Sequence, residues 1–181
     1  KADFTIAFGS CNNQSMENTL WTAISENKPS VFIWGGDVIY SDTFDPKVLE
    51  KNYQKQLENP DYQKFSESVE ILGTWDDHDY GPNNSNASFP LKDRTLQLFQ
   101  RHWPNPEFGL PGVPGTFGVA RHGDLLFFLL DDRYYRSPNR APDGSAKTMF
   151  GARQLDWLKQ VLAAAPRDSI KIIAGGSQFW K

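Results

Sequence analysis

Acidic and sulfur-bearing side chains recur directly after short apolar segments that have the character of strands. The residues in these positions are Cys11, Asp37, Asp77 with His78, and Asp132 with Arg133. In open α/β sheets, ligands bind beyond the carboxyl ends of parallel strands, so we expect these four groups at one edge of a sheet. Carboxylates that converge without a cation raise one another's pKa, and a bound polyvalent cation removes that cost. The pattern therefore predicts a metal site.

The candidate ligands include both oxygen and sulfur atoms, so they do not determine which metal is bound. Carboxylate and amide oxygens suit Ca²⁺, Mg²⁺ or Mn²⁺, whereas a thiolate together with a phenolate suits iron or zinc. Two metals bridged by a carboxylate are one known way to displace a group at phosphorus, which makes phosphate ester hydrolysis a candidate reaction.

Structural explanations of the same residues also remain open at this point. Cys11 is compatible with a small packing residue, Gly35-Gly36-Asp37 with a turn, and Asp132-Arg133 with an ordinary ion pair. The segment Trp75-Asp76-Asp77-His78-Asp79 is different, because three acids and a histidine at a strand end repel one another unless something binds them. This segment favours a functional site.

The elements that must position these residues alternate between strands and helices. Strands are predicted at 4–8, 30–34, 69–74, 118–121, 124–130 and 170–174, and helices at 16–26, 46–58, 91–102 and 154–165. The alternation predicts an α/β fold with a mixed sheet, in a single domain over residues 1–181. Because the last strand lies close to the end of the sequence, we expect this domain to be incomplete at its C-terminus.

Composition narrows the class of protein. The chain has 181 residues with a net charge of −3, so the basic excess typical of nucleic-acid binding is missing. Its longest strictly apolar run, Leu125–Leu130, is far shorter than a membrane-spanning helix requires. The single cysteine, Cys11, excludes an internal disulfide and leaves the compartment undetermined. We expect a monomer.

Five segments carry motifs that can be compared with known families. They are GSCN at 9–12, GDVIY at 36–40, TWDDHDYG at 74–81 with Asn83, LLDDRYYR at 129–136, and Gly151 with Gln154 and Trp157-Leu158. Together and in this order they resemble the alkaline phosphatase D (PhoD-like) metallophosphatases. The resemblance implies a calcineurin-like metallophosphoesterase fold, a two-sheet β-sandwich flanked by helices (αββα). It also implies hydrolysis of phosphate monoesters or diesters by a metal-activated water, in a secreted or periplasmic protein.

The resemblance implies two or more metal ions, with Ca²⁺ expected and Fe³⁺ in some members. On this basis Cys11 and Tyr40 correspond to ligands of the iron-type metal, and Asp37 to the carboxylate that bridges the metals. Asp77 corresponds to a ligand of the second metal, and Asn83 to a further ligand or a phosphate contact.

Two residues correspond to groups that act on the substrate. His78 corresponds to a group that contacts the substrate phosphate or protonates the leaving alkoxide. Arg133 corresponds to a second phosphate contact.

The sequence departs from the family pattern at two places, which keeps a second function open. Asn84 stands where many relatives carry Asp, and the late Gly-Asp-x-His motif that supplies further metal ligands is missing, with no histidine after His122. The alternative is therefore a catalytically silent metal-binding or interaction module. The high aromatic content, 14%, leaves a third possibility, a hydrolase whose groove takes phospholipid or cell-wall polymer.

Overall fold

Two three-stranded sheets form the centre of the protein, whose structure, a computed structural model, describes residues 4–178. The first sheet contains β1 (Ile6–Gly9), β2 (Val31–Gly35) and β3 (Glu70–Thr74), all parallel and in this order. The second contains β4 (Gly118–His122), β5 (Leu125–Leu129) and β6 (Ile170–Ala174), with β4 antiparallel and β6 parallel to β5. The single mixed sheet expected from the alternation is wrong, because the strands divide between two sheets.

The described part of the chain contains six helices, which lie around the sheets. They are α1 (Leu20–Glu26), α2 (Pro46–Leu57), α3 (Pro60–Ser66), α4 (Asp77–Tyr80), α5 (Lys92–His102) and α6 (Ala152–Ala164). Asp45 and Asn59 cap α2 and α3, each with a side-chain oxygen that accepts a backbone N–H and a proline directly after it. No helix within residues 4–178 is both long and apolar enough to cross a membrane.

Helix α1 differs from its prediction. It begins at Leu20 rather than at residue 16. At this later start, the Asn18 side-chain oxygen accepts the Leu20 N–H at 2.9 Å. Met16 and Leu20, which the predicted helix would turn inward, are 68% and 62% exposed. Trp21 is the buried residue of this helix, because it packs against Trp34, Tyr62 and Phe65 in the core.

The sheets pack face to face, and helices cover their outer faces. Val31 and Ile33 point into the space between the sheets, whereas Phe32 and Trp34 point to the helices, as the alternation of a strand requires. Aromatic side chains from α1 and α3 cover this outer face, and Trp157 of α6 packs on the second sheet through Phe117. The four-layer αββα sandwich is confirmed.

The two sheets are tied together where β3 ends. The Thr74 hydroxyl donates to the Leu130 carbonyl at 2.7 Å, and the Trp75 indole N–H donates to the Asp131 carboxylate at 2.8 Å. Asp131, which is fully buried, also accepts the backbone N–H groups of Thr116 and Tyr134 at 2.9 Å. These bonds fix the acidic segment after β3 against the segment after β5.

Candidate metal centre

The carboxyl ends of the three parallel strands bring the predicted acidic residues together. Asp37, Asp77 and His78 each offer one ligand atom, and these atoms lie within 4.8 Å of one another. Asp37 follows Gly36, whose backbone is left-handed with φ +75°, and a Cβ there would lie 2.6 Å from the Asp76 Cβ. Glycine is therefore required where the turn after β2 approaches the segment after β3.

Cys11 and Tyr40 lie beside this cluster. The Cys11 Sγ is 3.7 Å from an oxygen of Asp37, and the Tyr40 ring packs against His78. Cys11 is exposed rather than packed in the core, so its structural explanation as a packing residue is wrong. Burial, followed by the neighbouring Cys11 and Asp37, raises the pKa of the Tyr40 phenol above its ordinary value.

His78 is held by a residue that the sequence did not single out. Its Nδ1 lies 2.7 Å from an oxygen of Asp42, and its ring packs on Tyr40 with centroids 4.2 Å apart. A proton on Nδ1, directed at the Asp42 carboxylate, leaves Nε2 available to a substrate. The signal for Asp42 is weak, an acid in a polar loop shortly after Asp37.

The polar loop after α4 contacts the centre mainly through its backbone. The Asn84 N–H donates to the Asp77 carboxylate at 2.7 Å, and Asn84 adopts φ 63°, which asparagine tolerates better than most residues. The Asn84 amide also donates to the Asn83 side-chain oxygen at 2.7 Å. Asn83 thus lies next to the residue that orients Asp77, and its role as a ligand stays a prediction.

Arg133 joins the second sheet to the acidic segment. Its guanidinium pairs with Asp76, lies 3.8 Å from Asp77, and donates to the Ser177 hydroxyl at 2.9 Å. The ion pair considered for Asp132-Arg133 is also present, with these charges 3.9 Å apart. Arg133 is 5% exposed, so these contacts position it, and its predicted phosphate contact stays a prediction.

Asp132 is fully buried, yet only one of its two carboxylate oxygens accepts a hydrogen bond within residues 4–178. One carboxylate oxygen accepts the Ser177 N–H at 2.7 Å, whereas the other has no hydrogen-bond partner among the described residues. Burial, followed by repulsion from Asp76, raises the pKa of Asp132 to about 7.

Asp79, the last acid of the TWDDHDYG segment, stabilises the local backbone and is not a candidate metal ligand. Asp79 is fully buried, and its carboxylate accepts the backbone N–H groups of Ile39 at 3.1 Å and Asp76 at 3.2 Å. It therefore links the loop that carries Asp37 and Tyr40 to the segment that carries Asp77.

The electrostatics and the donor chemistry both fit a bound metal. Burial, followed by repulsion from Asp76 and Asp77, raises the pKa of Asp37 to about 6. A cation between these carboxylates would offset both the burial cost and the repulsion. Carboxylate, imidazole, thiol and phenol groups are all metal ligands, and here they come from three strand ends.

Comparison with known proteins identifies the family. The model of the PhoD-like phosphatase family matches residues 6–180. A solved structure described as "Structure of PhoD" superposes with a TM-score of 0.78 at 19% identity; the match covers 95% of this chain and 41% of that chain. No curated protein matches this sequence. This chain spans less than half of the solved relative, and at this identity the likeness shows the fold. Because the family model covers nearly every residue, the chain belongs to the PhoD-like phosphatase family.

Proposed function

We propose that the protein hydrolyses phosphate esters, with a metal-activated water as the nucleophile. The observation that carries this proposal is the convergence of Asp37, Asp77 and His78 within 4.8 Å, next to the Cys11 thiol. Membership of a phosphatase family supports the reaction class. The proposed substrates include both phosphate monoesters and phosphate diesters.

The metal ligands in this proposal are those that the family resemblance implied. Cys11 and Tyr40 would hold an iron-type metal, Asp37 would serve as the carboxylate shared by both metals, and Asp77 with Asn83 would hold the second metal, for which Ca²⁺ is proposed. Bound at these residues, the cations would lower the pKa of a water and neutralise charge on the phosphoryl oxygens. The hydrogen bond from the Asn84 N–H to Asp77 supports a fixed ligand orientation.

His78 acts on the substrate in this proposal. Asp42 holds the Nδ1–H at 2.7 Å and would stabilise the imidazolium form of His78, which carries a second proton on Nε2 and can donate it to the leaving alkoxide. Arg133 contributes mainly by holding Asp76, and a direct contact of its guanidinium with phosphate belongs to the proposal as well.

The test is the Asp37→Asn variant of the full-length protein, assayed with a chromogenic phosphate ester at saturating metal. Loss of even an indirect partner of a metal ligand costs about 10–100-fold in affinity or activity, so loss of Asp37 should exceed about 100-fold. Asp156→Asn is the matched control, because Asp156 lies on α6 with 62% of its side chain exposed. Normal hydrolysis by Asp37→Asn would overturn the proposal.

The alternative, a metal-binding module without turnover, gives a different result in the same experiment. It predicts bound metal that depends on Asp37 and no ester hydrolysis by the unsubstituted full-length protein. Secretion or a periplasmic location, and a monomeric state, remain parts of the proposal that fractionation and sedimentation would test.

A further inference from the structure

A polar pocket of about 390 Å³ opens beside the metal centre and contains none of the residues assigned above. It is lined by Arg136, Ser137, Asn139, Lys147, Thr148 and Met149. Two cationic side chains, an amide and two hydroxyl groups therefore surround a space large enough for a phosphate group. This donor set is suited to an oxyanion.

Hydrogen bonds connect the pocket directly to the candidate centre. The Asn139 amide donates to the Asn84 side-chain oxygen at 3.1 Å, and the Asn84 N–H binds Asp77. Two hydrogen bonds, through Asn139 and Asn84, therefore link the pocket to Asp77.

The charge of Arg136 is poorly satisfied. Within residues 4–178 no carboxylate lies within ion-pair distance of its guanidinium. Its side-chain hydrogen bonds are long and go to neutral groups, at 3.4 Å to Asn139 and 3.5 Å to the Ser177 hydroxyl. A half-buried cation with such partners is stabilised by an incoming anion.

Lys147 can also turn to an anion. Its ammonium lies 2.8 Å from the Asp143 carboxylate, but Asp143 is 96% exposed, and exposed ion pairs of this kind are weak. A phosphate group in the pocket would compete with Asp143 for the same ammonium.

We propose that this pocket binds a second phosphate group of the substrate, one that is not hydrolysed while it is held there. Arg136 and Lys147 supply the charge, and Asn139 places the bound group next to the loop that orients Asp77. The part of the proposal that concerns a substrate rests on the proposed function, whereas anion binding by the pocket does not.

The first experiment measures binding without hydrolysis. The full-length protein, treated with a chelator, is titrated with inorganic phosphate by calorimetry. Charge-assisted hydrogen bonds contribute enough that Arg136→Gln and Lys147→Gln should each weaken binding about tenfold. Asp143→Asn should tighten binding, because it removes the carboxylate that competes for the Lys147 ammonium, and Asp156→Asn should leave it unchanged. Equal affinity for phosphate in all variants, or no phosphate binding at all, would overturn the proposal that this pocket binds an anion.

The second experiment compares hydrolysis of two esters that differ only in a second phosphate group. Arg136→Gln should lower kcat/KM about tenfold for the ester with two phosphates and leave the simple ester unchanged. Equal effects on both esters would refute the substrate role of the pocket. If neither ester is hydrolysed but phosphate binding depends on Arg136, the proposed function fails and the anion site stands.

Discussion

The contacts of Arg133 predict a large loss of stability when its charge is removed. In Arg133→Met the ion pair with Asp76 is lost, and so are the bond to the Ser177 hydroxyl and the nearby charge beside Asp132. The Arg133 and Asp76 side chains are only 6% and 15% exposed, so solvent screens this pair little. Breaking such a buried pair costs about 3–5 kcal/mol. For a chain of this size, that corresponds to a fall in Tm of about 6–20 °C.

A double-mutant cycle separates this cause from simple loss of packing. Urea unfolding followed by circular dichroism would give the free energy of unfolding of Arg133→Met, Asp76→Asn and the double variant. Because the main cost is an unpaired Asp76 carboxylate, Arg133→Met should cost at least 1 kcal/mol less in the Asp76→Asn background. A loss below about 1 kcal/mol for Arg133→Met alone, or equal losses in both backgrounds, would refute this reasoning.

Three further predictions test other parts of the structure. Gly73→Ala should lower the free energy of unfolding by about 1–3 kcal/mol, since the new Cβ would lie 2.6 Å from the Trp103 ring, whereas Gly144→Ala, with open space around it, should change urea unfolding little. Asp42→Ala should lower kcat more than it raises KM, because it frees the His78 ring; an unchanged kcat would contradict the role of this contact. Metal at about 100 times its Kd should add about 2.7 kcal/mol of stability, measured by thermal unfolding, and Asp37→Asn should abolish that gain; an equal gain in both proteins would place the metal elsewhere.

The sequence predicted the parts of the fold that depend on regular patterns. Apolar runs such as Val31–Trp34 are recognisable as strands because both of their faces are buried. Four groups were expected at one edge of a single sheet, and the parallel pairing of β1, β2 and β3 brings Cys11, Asp37 and Asp77 with His78 there. For Asp132 with Arg133 this expectation was wrong, because both follow β5 of the second sheet. Five motifs in the order typical of the family were sufficient to predict membership of the PhoD-like phosphatases, which the family model confirms.

Other features depend on contacts that no local pattern records. The short helices α3 and α4 were missed because neither is long enough to show a helical period. The division of the strands into two sheets follows from packing between distant segments, such as those of Val31 and Phe127, which belong to the same core cluster. Asp42 and the Arg136 pocket were missed for the same reason, since their partners lie far away in the sequence or in polar loops without periodicity.

Anomalous X-ray diffraction from crystals grown with metal, recorded at the absorption edge of the bound ion, tests the metal centre most directly. The account predicts an anomalous peak within bonding distance of a carboxylate oxygen of Asp37, with the Cys11 Sγ or a carboxylate oxygen of Asp77 as a further ligand. The same peak should be absent from crystals of Asp37→Asn. Metal-saturated crystals with no peak at Asp37, or a peak that persists in Asp37→Asn, would contradict it.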